Sequence, residues 1–319
     1  MSSSPETRVL LTGGQGFVGK RLTTLLAAKH PSWALMVPPG PVESADDAQT
    51  LDVTNQDSVR AAVVGFGPDI VVHLAAIAAV TASTEAPREA WRVNLDGTLN
   101  IVSVLQEHAP RAHLLFVSSA EVYGASLRNE GLTDEYALLQ PLNPYAASKA
   151  AADMLVRQVA ATGLSATVMR PFNHTGPGQS EAFVAPSFAG QIARIEAGLQ
   201  EAVLSVGSLD DERDFLDVDD VVRAYLAALE ARARLDPGEV FNVASGRSVR
   251  IGDMLETLLS KARLPIAVRT DTSRLRQATT PRVVGDASRL RHKLTWRPEI
   301  LLEDTLSRIL EERRSAVTR

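Results

Sequence analysis

A short apolar run that breaks into a glycine-rich turn constrains this chain more than any other stretch. Val9-Leu10-Leu11 has the pattern of a buried strand, Thr12-Gly13-Gly14-Gln15-Gly16-Phe17-Val18-Gly19 follows at once, and Lys20 to Lys29 reads as a helix with Leu22, Leu25 and Leu26 on one side. Strand, glycine turn and helix N-terminus together suit a dinucleotide. The bare backbone can approach a pyrophosphate, and the free N–H groups at the positive end of the helix face it. The spacing is Gly-x-x-Gly-x-x-Gly over positions 13, 16 and 19, not the usual Gly-x-Gly-x-x-Gly. On this segment alone, a purely structural turn stays open.

The next segments keep the same rhythm. A second strand is expected near Trp33–Val37, ending in Pro38-Pro39-Gly40. An acidic residue at that point would bind the ribose hydroxyls of NAD and repel a 2′-phosphate. None stands there, so the balance tips from NADH towards NADPH. In Leu51-Asp52-Val53, Asp52 is placed either to bind the adenine amino group or to sit in water. A helix over Asp57–Phe66 leads to the apolar strand Ile70-Val71-Val72-His73-Leu74-Ala75-Ala76, whose small last residues leave room for a flat ligand. His73 reads equally well as a core histidine. A helix near Pro87–His108 carries Asn94, and His113–Val117 is another apolar strand, ending at Ser118-Ser119-Ala120-Glu121-Val122-Tyr123-Gly124. Continuous apolar strands alternating with helices through Pro171 predict an α/β fold, a Rossmann-type doubly wound parallel sheet covered on both faces.

Composition narrows the function. With 319 residues, the chain can form one large domain or two smaller ones. A net charge of −5 argues against a nucleic-acid groove. There is no cysteine, which excludes disulfides and thiolate chemistry, and the six histidines are scattered, so no metal site is expected. The N-terminal residues lack a signal-peptide core, and no apolar run reaches membrane-spanning length. A cytoplasmic protein without membrane contact is the expectation.

A fourth helix should open at Asn143-Pro144-Tyr145-Ala146-Ala147-Ser148-Lys149. Asn143 is a good N-cap and Pro144 suits the first helical position. Tyr145 and Lys149 lie four residues apart and share a face. An ammonium beside a phenol is expected to pull the phenol pKa down, which suits a group that gives a proton to a carbonyl oxygen or takes one from an alcohol. An ordinary surface pair is the bland alternative.

Gly13, Gly16 and Gly19, Asp52, the Leu74-Ala75-Ala76 strand end, Asn94, Ser119 and Tyr145-x-x-x-Lys149 together resemble the extended short-chain dehydrogenase/reductase family, in order and spacing across the whole chain. That resemblance implies a bound NAD(P) and a nucleotide-sugar substrate. It implies a Rossmann domain over 1–172 and 215–245, and a smaller mixed C-terminal substrate-binding lobe over 173–214 and 246–319. Cofactor contacts would come from Gly13, Gly16, Phe17, Val18 and Gly19, from Asp52 and Val53, from Leu74, Ala75 and Ala76, and from Asn94, Tyr145 and Lys149. Tyr145 would be the acid/base, Lys149 its pKa partner and a ribose contact, and Ser119 the hydroxyl that holds the reacting oxygen. No basic histidine accompanies Ser119, so a nucleophilic serine is a poor reading.

Glu121 resembles the carboxylate of the nucleotide-sugar 4,6-dehydratases, which keeps dehydration open beside a role in holding a sugar hydroxyl. Among the second-half residues, Asn173 and His174 suit a substrate-facing loop. Arg213 resembles the family arginine that grips a substrate diphosphate, with an ion pair to a neighbouring aspartate as the alternative. Arg276 stands where the family places a second diphosphate or ribose contact, and Trp296 reads as a core anchor. The aspartates around 210–220 are split between a loop and a helix start, which argues against a metal there.

The segments 173–179, 183–192 and 213–215 look most like those of the GDP-4-keto-6-deoxy-mannose reductases, which form GDP-rhamnose. Gly-Pro-Gly-Gln at 176–179 departs from the dehydratase loop. A GDP-mannose 4,6-dehydratase, another epimerase or dehydratase, and a non-catalytic dinucleotide-sensing protein are the alternatives. The family also implies a homodimer through a helix pair that includes the Tyr145/Lys149 helix.

Overall fold

The computed structural model describes residues 7–41, 50–78, 80–128, 131–272 and 282–317. The strands are β1 (Arg8–Thr12), β2 (Ala34–Met36), β3 (Ile70–His73), β4 (His113–Val117), β5 (Ala166–Pro171), β6 (Asn173–Thr175), β7 (Val203–Val206), β8 (Glu212–Asp217), β9 (Glu239–Val243), β10 (Ser248–Arg250), β11 (Ala267–Thr270) and β12 (Arg282–Val283). The α-helices are α1 (Phe17–Lys29), α2 (Gln56–Phe66), α3 (Val80–Glu85), α4 (Pro87–Trp91), α5 (Gly97–His108), α6 (Pro144–Ala161), α7 (Val184–Glu196), α8 (Val218–Ala231), α9 (Ile251–Leu259), α10 (Ser288–Leu294) and α11 (Leu302–Val317).

Six strands pair in the order β2-β1-β3-β4-β5-β9, all parallel. Helices cover both faces, which is why strands such as Val9–Leu11 and Ile70–Val72 carry apolar side chains without alternation. On one face Leu22 and Leu26 of α1 pack with Val221, Tyr225 and Leu229 of α8. On the other, Val59 and Val63 of α2 pack with Ile101 and Leu105 of α5 and Val156 of α6. The chain runs from β1 outward to β2, then returns to β3 on the other side of β1. That reversal opens a crevice at the carboxyl ends of β1 and β3, where open α/β sheets bind ligands.

A third core forms between Phe188 and Ile192 of α7, Leu255 and Leu258 of α9, Ile309 and Leu310 of α11, and the strands β7 and β8. Beside it, β8 pairs with β6, β10 and β12. Val283, Leu290, Leu294 and Trp296 do not join this core. They pack with α8 under the large sheet, and the Trp296 indole donates to the Asp220 carbonyl at 3.0 Å. The segment 283–296, which the resemblance places in the smaller lobe, thus packs these side chains against the core of the large sheet.

Helix α6 is capped as its sequence predicts. The Asn143 side chain accepts from the Ala146 N–H at 2.8 Å, and Pro144 takes the first turn. Its body is held by a buried ion pair that the sequence did not announce. Asp153, 0% exposed, receives Arg170 of β5, 1% exposed, through Nε at 2.9 Å and Nη2 at 2.7 Å. Arg170 Nη1 donates to the Tyr123 hydroxyl at 3.0 Å, and Tyr123 donates to Asn242 Oδ1 on β9 at 2.7 Å. Removing one member leaves a buried charge without its counter-charge. Asp153→Ala is expected to lower unfolding stability by about 3–5 kcal/mol, read as a fall in the denaturant midpoint.

Candidate active site

The glycine turn shows three separate reasons for its three glycines. Gly13 has φ +68, and a Cβ there would stand 2.6 Å from the Ala75 amide nitrogen. A Cβ on Gly19 would meet the Gly13 carbonyl oxygen and Gly14 Cα at 2.5 Å, so this glycine lets α1 sit tight against the turn. A Cβ on Gly16 would approach only the Gly13 oxygen, at 3.3 Å, so this position keeps one side open. Gly16 is also the N-cap of α1 and offers no side-chain cap, which leaves the first N–H groups to a ligand. The turn therefore fits a dinucleotide.

Beneath it, His73 accounts for both ring nitrogens. Nδ1 lies 2.7 Å from Thr12 Oγ1 and Nε2 lies 3.1 Å from Thr98 Oγ1, and burial with the nearby Lys149 charge lowers its pKa to about 3. His73 is a neutral core histidine under the crevice.

The crevice opens into a cleft of about 800 Å³, large for a small-molecule site. Gly13, Gly16, Phe17, Val18 and Gly19 line it, as do Asp52 and Val53, and Leu74, Ala75 and Ala76. Ser119, Glu121, Tyr145, Lys149, Asn173 and His174 line the far part. No charged side chain stands at Pro38, Gly40 or Pro41, which form the wall after β2. Asp52 Oδ1 is engaged locally, accepting from the Thr54 N–H at 2.9 Å and the Thr54 hydroxyl at 2.7 Å.

Asn94 is not a wall of the cleft. A π-helical turn over Arg92–Asp96 separates α4 from α5, and its extra residue swings Asn94 into the interior, where it is 1% exposed. Its Nδ2 donates to Ser148 Oγ at 3.0 Å, and its Oδ1 accepts from the Ile77 N–H at 2.9 Å. Asn94 thus braces α6 and the segment after β3 from behind. The single helix expected over Pro87–His108 is broken at this point.

Tyr145 and Ser119 share a side-chain hydrogen bond, which brings both hydroxyls to one point of the cleft. The expected fall in the tyrosine pKa does not occur. Burial pushes it up to about 12, the Ser119 hydrogen bond opposes that rise, and the Glu121 carboxylate adds to it. Lys149 is occupied elsewhere. Its Nζ donates to the Val117 carbonyl at 2.5 Å and lies 4.4 Å from the centre of the Phe116 ring. Burial lowers its pKa to about 7, against the pull of Asp153. Desolvation outweighs the mutual help expected of a phenol and an amine.

The remaining substrate candidates divide in two. His174 stacks parallel to Phe17, with 6.3 Å between ring centres, and its Nδ1 donates to the Phe172 carbonyl at 3.0 Å. Burial lowers the His174 pKa, so the ring is held neutral. Arg213 does not reach the main cleft. It lines a small adjoining cavity of about 50 Å³ with Glu121, Asn143 and Val283, two of which, Glu121 and Val283, also line the main cleft. There Arg213 donates to the Glu212 carbonyl at 2.9 Å and pairs with Asp211 at 3.7 Å, the local ion pair named as its alternative. Asn143 Nδ2 approaches Glu121 Oε2 at 3.4 Å. Arg276 lies outside the described residues.

Gln179, within the turn-rich segment read as substrate-facing, lines the cleft; sequence reasoning missed Ser180 beside it and Tyr225 of α8, which also line it. Tyr225 reads as helix core by its spacing, and only the tertiary packing brings it to the cleft.

The geometry is that of a dinucleotide-dependent enzyme acting on a carbonyl or alcohol. Residues 9–244 match the NAD dependent epimerase/dehydratase family, and the chain belongs to that family. Among curated proteins it is similar to the GDP-6-deoxy-D-mannose reductase of Pseudomonas aeruginosa, 39% identical over 97% of this chain and 98% of that protein. It is also similar to the GDP-6-deoxy-D-talose 4-dehydrogenase of Aggregatibacter actinomycetemcomitans, 28% identical over 89% of this chain and 90% of that one. Among solved structures it resembles RMD from Pseudomonas aeruginosa complexed with NADPH. The TM-score is 0.85, with 38% identity and coverage of 97% of this chain and 99% of that chain.

Burial lowers the Lys149 pKa to about 7, so its ammonium form is complete only well below that pH and is lost as the pH rises through it. If the ammonium holds the nicotinamide ribose, kcat/KM for the dinucleotide will be flat on the acid side and fall about tenfold per pH unit above the lysine pKa. Lys149→Arg should remove that falling limb, because a guanidinium does not titrate there. Initial rates across the pH range check both.

Proposed function

We propose that this protein reduces the 4-keto group of GDP-4-keto-6-deoxy-D-mannose to give GDP-D-rhamnose, using NADPH. The observation that carries the reading is the hydrogen-bonded Ser119–Tyr145 pair on the wall of a dinucleotide-sized cleft, with the phenol kept in its protonated state. A reductase needs a proton donor at the carbonyl oxygen, and a neutral phenol is that donor. The choice of sugar and reductant is supported by similarity along almost the whole chain to a GDP-6-deoxy-D-mannose reductase and to RMD complexed with NADPH. Among the described residues the wall after β2, Pro38, Gly40 and Pro41, carries no charge, which is compatible with a 2′-phosphate.

When bound, the reduced dinucleotide supplies hydride to C4 of the sugar. Ser119 holds the C4 oxygen by hydrogen bonding, and Tyr145 Oη gives its proton to that oxygen as negative charge develops. Lys149 holds the nicotinamide ribose while its ammonium form persists. Asn173 and His174 border the sugar, and Glu121 accepts from a sugar hydroxyl. Arg213 turns from its local partners to the diphosphate. Arg276 is proposed as the second diphosphate contact. The larger lobe takes 1–172 and 215–245 with the packed segment 283–296, and the rest forms the nucleotide-sugar lobe.

Tyr145→Phe is expected to lower turnover by about 10²–10⁴-fold with dinucleotide affinity near that of the unaltered protein. Consumption of NADPH with GDP-4-keto-6-deoxy-D-mannose, followed by identification of the sugar, gives both the test of the mutant and the test of the reaction. A dehydratase or epimerase would consume no added reductant.

A homodimer through α5 and α6 belongs to the same reading. Met154 of α6 is 60% exposed, and Leu99 of α5 and Trp91 of α4 are also exposed, on helices that pack against α6. Large apolar side chains left exposed on neighbouring helices mark an interaction surface. Light scattering is expected to find a dimer for the unaltered chain and a monomer for Met154→Asp. A cytoplasmic setting follows from the reading, since NADPH is regenerated there. Among the described residues no helix is long and apolar enough to cross a membrane.

A further inference from the structure

The segment Pro177–Glu181 carries Gln179 and Ser180 to the cleft and leads into α7. Its inner side is tied to itself. The Thr175 hydroxyl donates to Gln179 Oε1 at 2.7 Å, and Gln179 Nε2 donates to the His174 carbonyl at 3.1 Å. Its outer side is held by two helices from opposite ends of the chain. From α1, Arg21 Nη2 donates to the Pro177 carbonyl at 2.8 Å. From α11, Glu312 Oε2 accepts the Gly178 N–H at 3.0 Å, Arg313 Nη2 donates to the Gln179 carbonyl, and Arg313 Nη1 lies 3.9 Å from Glu181. Every backbone polar group from Pro177 O to Gln179 O that these bonds engage is met by a charged side chain, and charge-assisted hydrogen bonds are the strong ones.

Helix α11 does not depend on those contacts for its own place. Leu306, Ile309 and Leu310 are buried against α7 and α9. Thr305 donates to Asp217 Oδ2 at 2.6 Å, and Arg308 pairs with Asp217 and with Asp219 at 3.1 Å. The helix is therefore an anchored support, and two neighbouring residues of its last turns, Glu312 and Arg313, reach the cleft-lining segment.

We propose that Glu312 and Arg313 act as positioning residues for the nucleotide sugar, by holding Pro177–Glu181 in the shape that presents Gln179 and Ser180 to the cleft. This rests on the nucleotide-sugar reading above. They touch neither the hydroxyl pair nor the glycine turn, so they govern substrate capture and leave the chemical step and dinucleotide binding alone. Geometry lost in a binding segment appears in KM when the reacting groups stay aligned.

The test is a Glu312→Ala/Arg313→Ala double variant, examined first by hydrogen exchange without any ligand. The Gly178 amide should exchange about tenfold faster once its carboxylate partner is gone, whereas Ile309 and Leu310 in the core of α11 keep their protection. In the NADPH-consumption assay, KM for GDP-4-keto-6-deoxy-D-mannose should rise about tenfold, with kcat and the NADPH dissociation constant within about twofold. Arg313→Lys with Glu312 intact should restore most of the KM. Unchanged exchange at Gly178 overturns the proposal whatever the substrate is. Faster exchange with unchanged KM, in an enzyme that turns over the sugar, overturns it as well, and so does an equal loss of NADPH affinity. Faster exchange in a protein whose unaltered form ignores this sugar refutes the substrate reading and upholds the support of the segment by α11.

Discussion

The buried clasp between Asp153 and Arg170 is the constraint on which the site rests. Two parallel N–H···O bonds fix a guanidinium against a carboxylate with almost no water near either. Asp153 lies one turn beyond Lys149 and two beyond Tyr145, so the clasp sets the rotation and height of α6 on the sheet. Arg170 then passes the constraint on. It meets the Tyr123 hydroxyl, Tyr123 meets Asn242, and the Asn242 amide reaches the carbonyls of Thr133 at 2.9 Å and Asp286 at 3.2 Å. The helix with the phenol, the segment that carries Ser119 and Glu121, and the last strand of the sheet are thereby joined in one satisfied polar network. Such a network is of small net worth for stability and of large worth for uniqueness, since each alternative packing would strand a charge.

Electrostatics at the cleft follows from the same enclosure. Tyr145 and Lys149 are both deeply buried, and each is driven towards its neutral form. A protonated phenol is poised to give, which matches reduction better than oxidation. Glu121 strengthens that bias, because a carboxylate near a phenol opposes phenolate. The carboxylate that resembles a dehydratase base can thus serve a reductase by holding the proton on its neighbour.

Local signals in the sequence were read well where the physics was local. The glycine turn, the strand ends at Leu74–Ala76 and Ser118–Glu121, and the capped start at Asn143-Pro144 depend on neighbours a few residues away. What depends on distant packing was not legible. Nothing around Asn94 announces an extra residue in its helix, so its turn away from the cleft could not be foreseen. Tyr145-x-x-x-Lys149 gives proximity, but the direction of both pKa shifts comes from burial, which spacing does not encode. Arg170 and Asp153 are seventeen residues apart in sequence, and their pairing exists only once β5 lies under α6. Trp296 was legible as an anchor, though not the core it would join.

The place of β9 has a consequence for how the chain is made. This strand completes the large sheet by pairing with β5, yet everything from β6 through α8 is threaded between them in sequence. During synthesis β5 therefore emerges as an open margin, and its neighbour β9 follows only after β6, β7 and β8 have left the ribosome. The nascent chain must keep that margin from pairing with strangers until then. Closing the large sheet therefore waits on the stretch of chain that carries β6, β7 and β8.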